Sequence, residues 1–356
     1  MARRILIVKF GAIGDIIMAI PAVRALYEQG AEIDWVCGQA VAPLLNCYPW
    51  IRLIVVDDRA LLTGGSMSKL TVLGSLWRTL ALRRYDLCAT LYYDARYLWA
   101  TWPVRATHRI RLSLSDRHAS LLPGRHHTDE YARILLGLED GQRSVGLAPV
   151  PPAVLPASPM PRVDGIARVV LAPAGARNML RDDALRRWPA ESYAGVVRAL
   201  QERGLEVVLV GGPDDAWVAP AFEGLGVINL IGKLSLVETV ALLDASDVLV
   251  THDTGPLHLG GISSVAIVSV FGPTDPRGRI PQRSDVVALW GGEGFACRPC
   301  YDGRNFAPCH ENGCMRQVTV EMVLEQIEAV LEQRRSGAKP PRVVTPISTV
   351  AAKGWL

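Results

Sequence analysis

The feature that most restricts what this chain can fold into is a rhythm. Short apolar runs alternate with helix-spaced segments, stop at a proline-dense stretch, and then begin again. Residues 4–9 (RILIVK), 31–37, 51–56 and 86–91 read as buried strands, with helical stretches between them, the first over residues 15–29. After the interruption come strands at 167–172, 205–211, 246–251 and 265–271, and helices at 190–203, 235–243 and 256–262. Strands that alternate with helices imply parallel pairing, with helices on both faces of the sheet. Residues 147–162 (LAPVPPAVLPASPMPR) carry too many prolines for a helix or a central strand and read as a linker. The expectation is therefore an α/β protein of two doubly wound units, residues 1–150 and 163–335, facing a cleft at the carboxyl ends of their strands. At 356 residues the chain suits two domains of roughly 150 residues each. Residues 319–333 form a last helix, and residues 336–356 read as a mobile tail.

Chemistry-bearing residues gather at the strand ends. The first loop, Lys9-Phe10-Gly11-Ala12-Ile13-Gly14-Asp15, turns on two glycines into a helix whose first N–H groups are free to meet an anion or hydroxyl. Asp15 either complements the helix dipole or serves as a base for a hydroxyl; the spacing alone allows both. The loop lacks the GxGxxG spacing of a dinucleotide fingerprint, and the acidic residue expected after strand two is missing. The second unit opens on Pro173-Ala174-Gly175-Ala176-Arg177, followed by Arg186-Arg187-Trp188-Pro189, a small-residue loop with guanidinium groups suited to phosphate. A solvated basic loop before a helix would look the same. His252-Asp253-Thr254-Gly255-Pro256-Leu257-His258 stands between a strand and a helix, where Asp253 or Thr254 could simply cap the helix. Alternatively the Thr254 and Gly255 amides hold a diphosphate, with His258 one turn on. Gly211-Gly212-Pro213-Asp214 and Phe271-Gly272-Pro273-Thr274-Asp275-Pro276 close two further strands. Such a coincidence of small and polar strand-end loops points to one common site.

Two further clusters stand apart. Cys297-x2-Cys300-x8-Cys309-x4-Cys314 has the count and spacing of a tetrahedral thiolate site, structural zinc or iron, in a segment with little apolar content to fix it otherwise. Reduced thiols or a redox-labile loop are the alternative. Cys37, Cys47 and Cys88 sit in apolar patterns and read as core residues. Residues 105–127 carry Arg105, His108, Arg109, Arg111, Arg117, His118, Arg125, His126 and His127, either a solvated charge run or a surface for an anionic acceptor.

A formal net charge of +3 gives no reason to expect nucleic-acid binding. With 49% hydrophobic and 21% charged residues, the chain can bury two cores. Lys9 and Asp15 interrupt the first apolar stretch, which argues against a signal peptide. No apolar run of about 18 residues marks a membrane-spanning helix. The sequence thus reads as cytoplasmic, at most in peripheral contact with the inner face of the cytoplasmic membrane.

Six separated segments, KFGAIGDIIMAIPAVRAL, RRWPAESYAGV, VVLVGGPDD, LIGKLSLVETVALL, THDTGPLHL and FGPTDP, together resemble glycosyltransferase family 9, which includes the lipopolysaccharide heptosyltransferases. They appear in the family's order, from about Ile5 to about Val330. The resemblance implies the GT-B architecture of two Rossmann-like domains and an inverting transfer from ADP-L-glycero-β-D-manno-heptose that needs no metal or other cofactor. It implies Asp15 as catalytic base and a donor site of Gly14, Arg177, Arg186, Arg187, Asp253, Thr254, Gly255 and His258. Family members have a lysine before the WP dipeptide that contacts the donor phosphates; here either Arg186 or Arg187 takes that place. Arg105, Arg109 and Arg111 are the acceptor-side candidates, for an anionic glycolipid. A branch with similar cysteines modifies autotransporter proteins, so a protein acceptor stays open. So do a nucleotide-sugar epimerase, which would consume donor without acceptor, and a nucleotide- or metal-binding protein without turnover.

Overall fold

The computed structural model describes residues 3–139, 146–177, 181–301, 305–338 and 342–348. The chain divides into two compact units, Met1–Val154 and Leu155–Leu356. Unit 1 holds β1 (Arg4–Val8), β2 (Glu32–Gly38), β3 (Ile51–Val56), β4 (Arg84–Thr90) and β5 (Arg105–Arg111), ordered β3-β2-β1-β4-β5. All four pairings are parallel. Unit 2 holds β6 (Arg168–Leu171), β7 (Glu206–Leu209), β8 (Ile228–Asn229), β9 (Val248–His252), β10 (Ala266–Phe271), β11 (Val286–Glu293) and β12 (Val343–Ser348). These form one parallel sheet ordered β12-β11-β10-β9-β6-β7-β8.

The central strands are apolar throughout because helices cover both of their faces. β1 buries Ile5, Leu6, Ile7 and Val8, and β9 and β10 are buried along their whole lengths. The strand order reverses beside β1 in unit 1 and between β6 and β9 in unit 2, and the loops after these strands meet where the two directions part. That rule brings the Asp15 loop to the end of β1, and the Gly175 and Asp253 loops to the neighbouring ends of β6 and β9.

Four strands depart from the sequence reading, the two-residue β8 among them. The basic run RATHRIR forms β5, an edge strand whose exposed pattern hides it from any apolar search. β11 was not anticipated. The segment expected to be a mobile tail supplies β12, whose β-branched Val343-Val344-Thr345 pairs with Val287–Leu289 of β11. An unpaired sheet edge accepts such a strand readily. Residues 339–341 and 349–356 of that tail lie outside the described residues.

Candidate active site

In unit 1 the chain leaves β1 through Lys9 and Phe10 and enters the helix Ile13–Glu28 at Ala12, whose φ of 62° turns the backbone sharply. No side chain caps this helix, so its first amides, Gly14 among them, lack a side-chain acceptor. Asp15 lies in the first turn with its side chain partly exposed, and Lys9 donates from Nζ to its Oδ2 at 2.8 Å. The Lys9 ammonium is itself buried and stands 4.5 Å from the centre of the Tyr92 ring. A lysine with no route to water needs a counter-ion, and Asp15 provides it. The pair therefore presents an ionised carboxylate on a fixed support. Phe10 stacks on Tyr97 at 4.2 Å and its N–H reaches the Tyr97 hydroxyl at 3.3 Å, which pins the loop from below. A second carboxylate, Asp58, packs beneath Gly38 and accepts the Gln39 N–H at 3.2 Å; burial pushes its acidity down and its pKa up.

In unit 2 three loops interlock. Gly175 has φ +93°, and a Cβ there would stand 2.4 Å from Thr254 Oγ1. That close approach lets the Ala176 N–H donate to Thr254 Oγ1 at 2.8 Å, while the Gly175 N–H donates to Asp215 at 3.0 Å. Neither Asp253 nor Thr254 caps the helix Gly255–Gly261: Thr254 occupies the N-cap, but its hydroxyl serves the neighbouring loop. Asp253 is buried. Its Oδ2 accepts from Thr274 Oγ1 at 2.9 Å and faces Arg186 at 3.4 Å and Arg279 at 3.7 Å. Burial alone would raise its pKa, but Arg279, Arg186 and His258 together hold it well below the ordinary carboxylate range. Asp253 Oδ1 and Arg186 Nε are both buried without a hydrogen-bond partner.

The two arginines before the WP dipeptide part company. Arg187 donates to the Gly175 carbonyl at 2.8 Å, pairs with Asp182 and stacks over Trp217 at 5.1 Å. Arg186 pairs with Asp183 at 3.0 Å and turns to Asp253. Both reach the same loop cluster, one at the Gly175 loop and one at the Asp253 loop. Arg177 is exposed at the mouth of the first of these loops, and His258 is buried in the helix that follows the second.

Other candidates are not brought together. β4 pairs Arg84 with Arg105 and Thr90 with Arg111, and Thr90 also pairs with Val8. Arg111 therefore lies in the row next to the Asp15 loop and donates to the Tyr93 carbonyl at 2.8 Å. Arg105 stands six residues back, roughly 20 Å at the rise of a strand. Arg109 is committed to the carbonyls of Thr101 and Val104 and lines a cavity of about 380 Å³ with Arg3, Leu26, Gln29 and His108, away from Asp15. Of the three arginines, Arg111 alone thus stands beside the Asp15 loop.

The four-thiolate expectation also meets a different geometry. Cys314 is packed against the ends of β10 and β11, where Cβ atoms on Gly272 and Gly292 would stand 2.7 Å from it. Cys297 and Cys309 are exposed, and Cys309 Sγ accepts the Asn312 N–H at 3.4 Å. Burial and then the neighbouring thiols push Cys314 up to about 12 and raise Cys300. Among the described residues no three His, Cys, Asp or Glu side chains stand where they could share a metal ion. As placed, these cysteines do not fit one.

Sequence reasoning passed over Lys9 and Arg279, the two cations that complete the carboxylate pairs. Lys9 had a usable signal, a charged residue closing an apolar strand. Arg279 had none, because it lies 26 residues beyond Asp253 and only the return of the chain after β10 brings it back.

The profile of glycosyltransferase family 9 (heptosyltransferase) matches residues 169–309. Lipopolysaccharide heptosyltransferase 3 of Escherichia coli K12 is 25% identical over 302 residues, 78% of this chain and 85% of the relative. Among solved structures, a family 9 glycosyl transferase from Veillonella parvula superposes with a TM-score of 0.71 at 22% identity, over 93% of this chain and 98% of that one. The E. coli heptosyltransferase WaaC with ADP follows at 0.67 and 20%, over 92% and 99%. Both share this chain's GT-B fold of two parallel-sheet α/β units. With its motifs in order, its strand-end loops assembled and the family profile matched over residues 169–309, the chain is a glycosyltransferase similar to those of family 9.

Proposed function

We infer that the chain transfers a heptose, with inversion, from an ADP-activated donor to a hydroxyl of a lipopolysaccharide-core acceptor. The observation that carries this reading is the loop cluster of unit 2, where Arg186, Arg187 and the uncapped turn at Thr254–Gly255 surround an ionised Asp253. Guanidinium groups and free amides suit a diphosphate, and a carboxylate held ionised suits sugar hydroxyls. The likeness to WaaC with ADP supports the nucleotide, and the likeness to lipopolysaccharide heptosyltransferase 3 supports the acceptor class.

The step is a single displacement. Asp15, kept ionised by Lys9, takes the proton of the acceptor hydroxyl as that oxygen bonds to the anomeric carbon. The bond from that carbon to the β-phosphate oxygen breaks, and its electron pair stays on ADP. Arg187, Arg186 and the Thr254 and Gly255 amides stabilise the charge that gathers there. Attack opposite the leaving group inverts the centre. Arg111, beside the Asp15 loop, contributes positive charge toward an anionic acceptor. The step uses only groups of this chain and its substrates.

The test is ADP release from ADP-heptose with and without a lipid A–core acceptor. Release should require acceptor. Asp15→Ala should lower kcat about 10³-fold, within the usual worth of a general base, and leave ADP affinity unchanged. Full turnover by a folded Asp15→Ala protein sinks the base. Donor consumption without acceptor points instead to epimerase or hydrolase chemistry.

A further inference from the structure

The cysteine-rich segment, residues 297–314, is fastened to the loop that follows β10. The N–H groups of Cys300 and Tyr301 both donate to the Pro273 carbonyl, at 3.1 and 3.3 Å. Tyr301 pairs with Phe306 across an antiparallel bridge, and the Ala307 N–H closes it on the Cys300 carbonyl at 3.1 Å. The two rings lie 4.7 Å apart, which gives the part-buried Tyr301 ring a support of its own. So placed, the ring stands 5.6 Å from the Arg279 guanidinium. Burial pushes the Tyr301 phenol up, while the charges of Arg279 and Arg181 pull it back, so both guanidinium groups lie near this side chain.

Both contacts of Tyr301 lead to Asp253. Pro273 precedes Thr274, whose hydroxyl donates to Asp253 Oδ2 at 2.9 Å. Arg279 faces the same oxygen at 3.7 Å. That is long for a charge-assisted hydrogen bond, which prefers about 2.7–2.9 Å, so the carboxylate alone does not fix the guanidinium. The Tyr301 ring, within the roughly 6 Å reach of a cation–π contact, adds a second point of support. Position matters here because Asp253 is buried and ionised, and a buried charge is costly once its cations shift. Its Oδ1 is buried without a hydrogen-bond partner and is the atom left for a ligand hydroxyl. The far end of the segment reaches the neighbouring loop: Asn312 donates from Nδ2 to the Arg187 carbonyl at 3.4 Å, and Arg187 in turn holds the Gly175 carbonyl.

We propose that Tyr301 is a positioning residue of the donor site, which acts through Arg279 and the Pro273–Thr274 turn to set the Asp253 carboxylate for a hydroxyl of the nucleotide sugar. Its N–H holds the turn and its ring holds the guanidinium. The cysteine-rich segment is the means by which the ring reaches that place, and the role does not depend on what the thiols hold. The proposal rests on the reading of unit 2 as the donor site and assigns that site a residue outside its strand-end loops.

The test is calorimetric titration of the full chain with ADP-heptose in the absence of acceptor, joined to steady-state kinetics. Tyr301→Leu should weaken donor binding about tenfold, the worth of a partly desolvated cation–π contact. It should raise the donor KM and leave the acceptor KM unchanged. Tyr301→Phe keeps the ring and should stay within about twofold of wild type. In an Arg279→Gln background the Leu substitution should add nothing, since the ring acts through that arginine. Tyr301→Gln gives the same reading should Leu disturb the fold. A wild-type chain that binds no ADP-heptose overturns the donor-site reading and this proposal with it. Wild-type binding that Tyr301→Leu and Tyr301→Gln leave unchanged, whatever happens to the melting temperature, overturns the role of Tyr301 alone. So does an equal loss in Tyr301→Phe, or a loss that persists in full in the Arg279→Gln background.

Discussion

His252 ends β9 with no exposed surface, its Nδ1 2.9 Å from the Tyr193 hydroxyl and its ring 6.0 Å from the Tyr193 ring. Burial first, and then the charge of Arg186, push its imidazole down to about 3 from an ordinary 6.5; the adjacent Asp253 pulls the other way and is outweighed. The folded protein therefore keeps His252 neutral where the unfolded chain protonates it. A base with a depressed folded pKa contributes stability above its unfolded value, and that contribution is lost as pH falls from 6.5 toward 3. Each pH unit in this window costs about 1.4 kcal/mol, so acidification from pH 7 to pH 5 removes about 2 kcal/mol through this residue alone. Asp253 does not obscure the window. Its depressed pKa contributes stability that is lost only below the ordinary carboxylate value of 3.8. The perturbation is His252→Asn, which keeps polar atoms beside Tyr193 but cannot titrate. Urea unfolding at pH 7 and pH 5, with both proteins in the same buffers, isolates the residue because every other group titrates alike in the two. Wild type should lose about 2 kcal/mol more than the variant between the two pH values. Parallel losses would refute the reasoning, as would an imidazole proton signal showing His252 titrating near 6.

Three further outcomes follow from the packing. Gly175→Ala, with φ +93° and a Cβ 2.4 Å from Thr254 Oγ1, should cost about 1–3 kcal/mol and weaken ADP binding by calorimetry; unchanged affinity would show that the two loops are not jointly required. Asp34 accepts from Arg52, Arg83 and Tyr85 at 2.6 to 2.9 Å while buried, so Asp34→Ala should cost about 3–5 kcal/mol in thermal unfolding. Arg52→Ala, whose side chain is half exposed, should cost under about 1 kcal/mol. With Ellman's reagent near pH 8, exposed Cys297 and Cys309 should react first, while Cys37 and Cys314, both pushed up to about 12, and Cys88, to about 11, should wait for unfolding. Protection of Cys297 and Cys309, with release of zinc or iron on modification, would instead restore the four-thiolate site.

How much was legible in advance depended on the range of the signal. Apolar runs such as RILIV and AIVSVF declare buried parallel strands because every side chain in them must avoid water, and the loops that follow are fixed by chain order. β5 escaped because an edge strand tolerates arginine on its open side, and β12 because its partner edge lies some fifty residues upstream in the chain. The basic run from Arg105 could be read as one patch only while its backbone was unknown. Once extended, it carries Arg105 and Arg111 to opposite ends of a strand.

By itself the sequence determined that the chain alternates strand and helix in two series. It also determined that Asp15, Gly175 and Asp253 follow strand ends and that Arg186 and Arg187 precede a helix, since periodicity and glycine placement are local properties. Tertiary structure alone decided which charges meet. Asp253 is ionised because Arg279 returns to it from beyond β10, and Asp15 because Lys9 is sealed beneath Tyr92. It also decided which apolar stripe of the helix Ser66–Ala81 faces water. A helix with leucines on two sides buries whichever side the sheet offers, and that choice belongs to the packing.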